Sequence, residues 1–304
     1  MIKHPVVSVV MITYGHEKFI EEAINGVLMQ ECDFELELII ANDCSPDDTD
    51  NIVQQILHSN PKSNTIKYLL HKQNKGMMAN FVYTIKQARG KYIALCEGDD
   101  YWTDPLKLQK QVDFLEKNKN YSFCGHDVII WEESKKIFTK KIHYDGNIIK
   151  IENTLFGVPI QTGSLMFRNV LGLPKNIMKC PVGDVSIMCY LASKGLGYSF
   201  AETMGVYRIS EIGVWSSLKQ AEQYLNTLKV QLWVLENFPN SIIKQSKRIN
   251  ELYSFIKQNN FELNKKLNNR EVIFLTLSLG LFNLNLFFQK VKFKIRLILK
   301  KKYN

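Results

Sequence analysis

Residues 92–102 read Tyr-Ile-Ala-Leu-Cys-Glu-Gly-Asp-Asp-Tyr-Trp, a short apolar run that ends abruptly in three carboxylates around one glycine. The apolar part is typical of a buried strand. Like charges this close repel one another and are costly beside a hydrophobic core. A divalent cation would remove that cost, because carboxylate oxygens at a strand end suit Mg²⁺ or Mn²⁺. A polar turn with solvated acids is the alternative, and the stretch alone leaves both readings open.

The chain before this stretch alternates between strand-like and helix-like segments. Short apolar runs rich in β-branched residues predict buried strands, and apolar side chains at helical spacing predict helices between them. The predicted elements are residues 6–12, 19–28, 36–41, 52–57, 66–70, 81–88 and 92–95. This β-α-β-α-β-α-β order predicts an α/β fold, with a mostly parallel central sheet flanked by helices on both faces.

Polar residues follow three of the predicted strands. They are Thr13-Tyr14 after the first, Asn42-Asp43 after the second and Glu97–Asp100 after the fourth. In parallel sheets of this kind, ligands bind beyond the carboxyl ends of the strands. The three clusters therefore predict one ligand site at that edge of the sheet.

Composition narrows the class of protein. At 304 residues with 45% hydrophobic content, the chain can bury a substantial core in one large or two small domains. Its net charge of +9 is concentrated in seven lysines and arginines from Lys290 onward. A nucleic-acid-binding module is disfavoured, because this basic excess lies in an apolar tail. Six scattered cysteines and no recognisable signal peptide predict a reduced, cytoplasmic setting.

Beyond Trp102 the pattern is mixed. A helix is predicted from Pro105 to Leu115, two strand segments at 121–124 and 127–131, and a helix that begins at Asp184. From about residue 216 the chain is predicted to be mostly helical.

Four blocks, Val6–Tyr14, Leu38–Ser45, Gly90–Trp102 and Gly183–Trp215, resemble in order those of the inverting, family 2 glycosyltransferases with the GT-A fold. The likeness is greatest to bacterial enzymes that build surface polysaccharides. It implies a GT-A (Rossmann-like) catalytic domain over residues 1–215, which binds the nucleotide sugar with about 1–102 and the acceptor with about 103–215. Residues 216–304 would form a helical C-terminal extension with a basic amphipathic tail.

The resemblance implies transfer of a hexosyl or N-acetylhexosaminyl group, with inversion, in cell-surface polysaccharide synthesis. The donor would be a nucleoside-diphosphate sugar, with UDP favoured, and the acceptor a hydroxyl of a glycan or lipid-linked glycan. The implied cofactor is Mn²⁺ or Mg²⁺. A sugar-phosphate nucleotidyltransferase is the rival on the same fold. Such enzymes usually carry a Gly-rich, Arg- and Lys-containing loop after the first strand, which Thr13-Tyr14-Gly15-His16 lacks.

The same resemblance assigns residues to the donor. Thr13 and Tyr14 would hold the nucleobase, and Asp43 would accept a hydrogen bond from the base or ribose. An Asx-turn or cap is the alternative for Asp43. Asn74 and Gly76 would line the nucleotide pocket, or would simply begin the next helix.

Glu97, Gly98 and Asp99 match the family's Asp-any-Asp motif. Asp99 would bind the metal, and Glu97 would lie near the ribose or a metal-bound water. Gly98 would let the backbone approach the ligand closely. The metal would neutralise charge on the departing diphosphate. Asp100 would either assist or cap the turn before Pro105.

On the acceptor side, the resemblance makes Asp184, in a Gly183-Asp184 pair, the base that takes the acceptor's proton. The alternative is an N-cap, and both roles are compatible. Trp102, Thr162 and Ser164 would contact the acceptor.

One departure from the family affects the expected metal site. Ser210 stands where relatives often have a metal-binding histidine, so the metal would be held more weakly or Glu211 would substitute. Arg208 would face the diphosphate or serve as a structural ion-pair partner. The remaining histidines considered have no mutual spacing that predicts a metal site, and surface or capping roles are predicted for His16, His58, His71, His126 and His143.

The tail has two readings. Residues 272–288 are apolar but, at 17 residues, lie at the lower limit for spanning a bilayer. With the basic segment that follows, an interfacial helix would make peripheral contact with anionic lipid at the inner face of the cell membrane. Otherwise the tail would pack on the catalytic domain or on a second subunit of a homo-oligomer.

Overall fold

A computed structural model describes residues 4–155, 157–174, 176–210, 218–238 and 248–255, with the single positions 267, 271, 272, 275 and 279. The chain forms two compact units. The first is Met1–Met178 with Gly183–Ser217, and the second is Lys179–Val182 with Leu218–Asn304.

The first part of the chain has the predicted alternation. Its elements are β1 (Val7–Thr13), α1 (Ile20–Leu28), β2 (Leu36–Asn42), α2 (Thr49–Ser59), β3 (Ile66–Leu70), α3 (Met77–Ile85) and β4 (Tyr92–Leu95). Helix α2 contains all four apolar residues predicted for it, Ile52, Val53, Ile56 and Leu57. Helix α3 contains Phe81, Val82 and Ile85 and ends before the fourth, Ala88.

The second part completes the sheet. Its elements are β5 (Tyr101–Trp102), α4 (Lys107–Lys117), β6 (Tyr121–Glu132), β7 (Ile137–Ile142), β8 (Ile148–Ile149), α5 (Ile151–Thr154), β9 (Met166–Arg168), α6 (Gly183–Ala192) and β10 (Leu196–Ile209). The two strand segments predicted at 121–124 and 127–131 are one strand, β6. It stays continuous because β10 pairs with it from Tyr121 to Glu132 and absorbs the irregularities as register shifts.

The sheet is mostly parallel, as predicted. Its order is β3-β2-β1-β4-β9-β6-β10-β5, with β7 added to β6 and β8 to β10. Strands β1 to β4 are mutually parallel, and β6 and β10 are parallel to each other. The short strand β9 lies antiparallel between β4 and β6.

Apolar residues cover both faces of the sheet. One face packs α1, α2 and α4 against side chains that include Val9, Met11, Leu38, Ile40 and Ala94. The other face packs α3 and α6 against side chains that include Val10, Ile93, Leu95, Phe123 and Phe167. Burial on both faces explains why β1 and β4 are continuous apolar runs rather than alternating ones.

The second unit is helical where it is described. It contains α7 (Gln220–Asn237) and helical residues 248–255, around a core of Leu228, Leu232, Leu235, Ile249, Leu252 and Leu275. Apart from single positions, the apolar run 272–288 and the basic tail lie outside the described residues. Within the described part, none of the helices combines the length and apolar character that crossing a membrane requires.

A buried lysine lies at the start of α4. The side chain of Lys107 is fully buried, with Nζ 3.7 Å from the centroid of the Trp102 ring. Its ammonium donates a hydrogen bond of 2.8 Å to Oε1 of Gln111. Because burial disfavours the charged form, the pKa of Lys107 falls to about 7.

Lys107→Met should therefore change how stability depends on pH. The unfolded chain keeps this lysine protonated up to about pH 10.4, whereas the folded protein releases the proton near pH 7. Between these values the wild type should gain stability relative to the variant as pH rises, by at most about 1.4 kcal/mol per pH unit. Urea unfolding of both proteins at pH 6.5, 7.5 and 8.5 measures the difference. Lys117→Met, on the exposed end of the same helix, is the control. Parallel curves for wild type and Lys107→Met would contradict the prediction.

Candidate nucleotide-sugar site

The polar clusters after β1, β2 and β4 meet at one edge of the sheet. Thr13 lies opposite Asn42 in the β1–β2 register, and the Asp43 amide donates to the Thr13 carbonyl at 2.9 Å. The Gly98 amide donates to the Ile12 carbonyl at 3.0 Å. Parallel pairing thus brings together residues that are more than 80 positions apart in the chain.

Asp43 holds the loop that leads into α3. Its carboxylate is 2% exposed and accepts hydrogen bonds from the amides of Lys75 (2.8 Å) and Gly76 (2.9 Å). The local side-chain contact considered for Asp43 is made instead by its neighbour Asn42, whose Oδ1 accepts from the Ser45 amide at 2.9 Å. Each carboxylate oxygen of Asp43 retains a second lone pair for a ligand.

Asn74 and Gly76 lie at the start of α3 and beside Asp43. Gly76 adopts a φ of +84°, which favours glycine, and immediately precedes the helix. Oδ1 of Asn74 accepts from the Gly76 amide at 2.9 Å. The pair therefore lies at the start of α3 and also beside Asp43, where the nucleotide pocket is predicted. Tyr14, at the end of β1, is 48% exposed at the same edge of the sheet.

The carboxylates of Glu97 and Asp99 accept no hydrogen bond from any described residue, whereas that of Asp100 does. Asp100 is buried, and its Oδ1 accepts from the Arg208 amide at 2.8 Å. Burial, with added repulsion from Asp99 and Asp184, raises the pKa of Glu97. In the turn around Pro105 it is Asp104 whose Oδ1 accepts a local amide, that of Leu106 at 2.8 Å, whereas the Asp100 carboxylate is bonded to β10.

Because the carboxylates of Glu97 and Asp99 accept no hydrogen bond from a described residue, their oxygens suit a divalent ion that a bound substrate helps to hold. Mg²⁺ and Mn²⁺ commonly take one or two carboxylates together with substrate phosphates. Within the described residues, no group of three or more His, Cys, Asp or Glu side chains could hold a metal ion alone. Ser210 is buried at the end of β10, and Glu211 lies outside the described residues.

Asp184 lies in the first turn of α6 and near Glu97. Its Oδ1 accepts from the Val185 amide at 2.6 Å. This bond to the next residue is not an N-cap contact, which would reach the second or third amide ahead, and α6 begins one residue earlier, at Gly183. Its charge is one of those that raise the pKa of Glu97, and burial raises its own pKa. A carboxylate with a raised pKa is a better proton acceptor at neutral pH. The role of Asp184 as the base stays a prediction.

Arg208 makes the contacts of a structural ion-pair partner. Its guanidinium pairs with Glu22 and donates to the Asp99 carbonyl at 2.8 Å. It also lies 4.5 Å from the ring centroid of Tyr101 and 5.0 Å from that of Phe19. The contact with the Asp99 carbonyl holds the backbone of the Glu97–Asp100 turn. A further contact of Arg208 with the diphosphate stays a prediction.

Of the residues predicted to contact the acceptor, Thr162 and Ser164 lie in one short turn, and Trp102 is hydrogen-bonded to that turn. Trp102 is 3% exposed, and its indole N–H donates to the Gly163 carbonyl at 2.7 Å. Ser164 is fully buried, and its hydroxyl donates to the Gln161 carbonyl at 2.7 Å. The structure thus places Trp102 and Ser164 inside the fold as supports. Thr162, which is half-buried, is the most accessible of the three predicted contacts.

Two residues at this site were not predicted. One is Tyr207: burial raises its pKa, and the nearby charges of Asp100, Glu97, Asp99 and Asp184 raise it further. The other is His16, whose Nε2 lies 3.9 Å from Oδ2 of Asp99. The predicted surface position is wrong for His71 and His126, which are buried. His16 is partly buried, and its backbone carbonyl accepts from the Phe19 and Ile20 amides at the start of α1.

Comparison with known proteins identifies the family. Residues 8–172 match the model of glycosyl transferase family 2. The uncharacterized protein Rv1520 of Mycobacterium tuberculosis is 36% identical over 214 residues, which cover 69% of this chain and 60% of the relative. TuaG of Bacillus subtilis, named as a glycosyltransferase of teichuronic acid biosynthesis, is 28% identical over 216 residues, covering 67% and 79%.

A solved structure shares the fold. The structure of Staphylococcus aureus TarS 1–349 in complex with UDP-GlcNAc superposes with a TM-score of 0.62 and 19% identity, covering 90% of this chain and 79% of that one. The chain spans about 60% of the length of its mycobacterial relative. Since the family model covers more than half of the 304 residues, the chain belongs to glycosyl transferase family 2.

Proposed function

We propose that the protein transfers a sugar from a nucleoside-diphosphate sugar, most readily a UDP-sugar, to a hydroxyl of a glycan or lipid-linked glycan. The product would contribute to a cell-surface polysaccharide. One observation carries the proposal: three groups lie together at one edge of the sheet. They are Asp43 with its loop, the carboxylates of Glu97 and Asp99, which accept no hydrogen bond from a described residue, and Asp184. The named role of TuaG and the UDP-GlcNAc bound to TarS support it.

Separate groups of residues would bind the nucleoside and the diphosphate of the sugar donor. Asp43 and the loop at Gly76, with Thr13 and Tyr14, hold the nucleoside. Asp99 would hold a divalent ion, Mn²⁺ or Mg²⁺, which would supply positive charge to the departing diphosphate.

Asp184 supplies the proton acceptor. Its carboxylate takes the proton of the acceptor hydroxyl while that oxygen bonds to the anomeric carbon. The bond from this carbon to the diphosphate oxygen breaks on the opposite side, so the configuration inverts. The donor sugar would be a hexose or N-acetylhexosamine.

Residues 1–215 would form the catalytic domain and 216–304 an extension. Its basic tail would bring the enzyme to anionic lipid at the inner face of the membrane, or would mediate self-association.

Nucleotide binding tests the proposal directly. UDP-, dTDP- and GDP-sugars are titrated into the full chain with and without Mn²⁺, and nucleoside diphosphate release is measured in parallel. We expect one nucleotide class to bind and Mn²⁺ to strengthen its binding, because the ion offsets repulsion between the diphosphate and Glu97 and Asp99. Absence of binding to every donor under both conditions would overturn the proposal. Release of pyrophosphate from a nucleoside triphosphate and a sugar phosphate would favour a nucleotidyltransferase instead.

A further inference from the structure

His16 lies against the metal motif although it belongs to a different strand end. It follows β1 by three residues, and its Nε2 is 3.9 Å from Oδ2 of Asp99. That separation is too long for a hydrogen bond. It is within the span of two ligands of one ion, because each ligand atom lies about 2.1 Å from a metal of this size. Both side chains are mostly buried, with 15% of His16 and 22% of Asp99 exposed.

The imidazole is oriented by Thr13. Nδ1 of His16 and Oγ1 of Thr13 are 3.2 Å apart. When Nδ1–H donates to this hydroxyl, the lone pair of Nε2 faces Asp99. A hydrogen bond from the second ring nitrogen of this kind commonly fixes the ring orientation and tautomer of metal-binding histidines.

Gly98 leaves room for this ring. A Cβ built on Gly98 would lie 2.8 Å from Nδ1 of His16 and 2.8 Å from Oγ1 of Thr13. Both distances are too short for any side chain other than hydrogen. The glycine between Glu97 and Asp99 therefore permits the imidazole and the two carboxylates to occupy one small region.

We propose that Nε2 of His16 is a protein ligand of the divalent ion bound at Asp99, so that one imidazole and one carboxylate hold the ion together with diphosphate oxygens. This inference rests on the proposed nucleotide-sugar site. A ligand set with an imidazole nitrogen favours Mn²⁺ over Mg²⁺, because Mg²⁺ prefers oxygen ligands alone.

Pulsed electron paramagnetic resonance of Mn²⁺ tests the proposal without measuring activity. In the full chain with Mn²⁺ and UDP, we expect ¹⁴N coupling from a directly bound imidazole, and we expect His16→Gln to remove it. The same variant should weaken Mn²⁺ binding to the UDP complex by about 10- to 100-fold, the loss typical when a group that holds or orients a metal ligand is removed. His58→Gln, on the exposed face of α2, is the matched control and should keep both properties.

The outcomes separate this inference from the proposed function. Binding of Mn²⁺ and UDP without a ¹⁴N signal in the wild type would overturn the role of His16 and leave the donor site intact. Failure to bind UDP at all would overturn the proposed function as well. If circular dichroism shows that His16→Gln does not fold, Gly98→Ala provides the second variant. The added methyl group should displace the imidazole and weaken the ¹⁴N signal, whereas an unchanged signal would assign it to another histidine.

Discussion

Replacing Asp184 by asparagine is expected to remove sugar transfer and to spare nucleotide-sugar binding. The Asn side chain keeps the shape of Asp, and its Oδ1 can still accept the hydrogen bond from the Val185 amide that Asp184 accepts at 2.6 Å. It cannot take a proton from the acceptor. Because loss of a general base typically costs about 10²–10⁴-fold, kcat should fall by that factor.

Two measurements on one preparation distinguish chemistry from binding. Single-turnover transfer reports the chemical step, and calorimetric titration with UDP reports the donor site. Asp113→Asn, on the exposed side of α4, is the control for general loss of carboxylate charge and should match the wild type in both assays. Full transfer activity in Asp184→Asn would show that another group accepts the proton.

The pH profile gives a second expectation for the same residue. Burial raises the pKa of Asp184 above the ordinary value of about 3.9 for Asp. Only the ionised form can accept a proton, so transfer should decline as pH falls through that raised pKa. The acid limb of the kcat/KM profile should therefore lie above about pH 4.

The inner strands of the parallel half could be predicted because they are buried on both faces and so read as apolar runs; β4 begins and ends at its predicted residues. The edge strand β3 is only partly buried, yet it also has its predicted bounds of Ile66–Leu70. Strand β6 was harder to predict. Gly125 and His126 interrupt its apolar pattern, yet His126 is buried in a strand that β10 accompanies along its whole length. That pairing joins residues about 75 positions apart and leaves no local trace in the sequence.

The site shows a similar division. Polar residues at the carboxyl ends of β1, β2 and β4 predict its location, because parallel strands bring their carboxyl ends to the same edge of the sheet. The task of each neighbour is less predictable. Asn42 bonds the local Ser45 amide and Asp43 holds the α3 loop, although either residue type suits either task. His16 was missed because its contact with Asp99 depends on two separate strand ends, and no spacing within one segment encodes it.

Asp99→Asn is expected to abolish the metal dependence of donor binding. An uncharged amide is a far weaker ligand than a carboxylate for Mg²⁺ or Mn²⁺. Affinity for UDP in the presence of Mn²⁺ should therefore fall on the order of 100-fold, which corresponds to the loss of roughly 3 kcal/mol. Metal-free UDP should bind Asp99→Asn at least as well as it binds the wild type, because one negative charge next to Glu97 has been removed.

This opposite response with and without the ion distinguishes a metal ligand from a residue that only supports the fold. A folding defect would weaken UDP binding under both conditions. Asp100→Asn is the matched comparison from the same turn, because its side chain is already engaged by the Arg208 amide and asparagine can still accept that bond. Its metal-dependent affinity should remain within about threefold of the wild type, since no group that binds the ion directly is lost. If Asp100→Asn loses the effect of Mn²⁺ and Asp99→Asn keeps it, the two residues have exchanged the roles assigned to them, and the ion lies deeper in the turn.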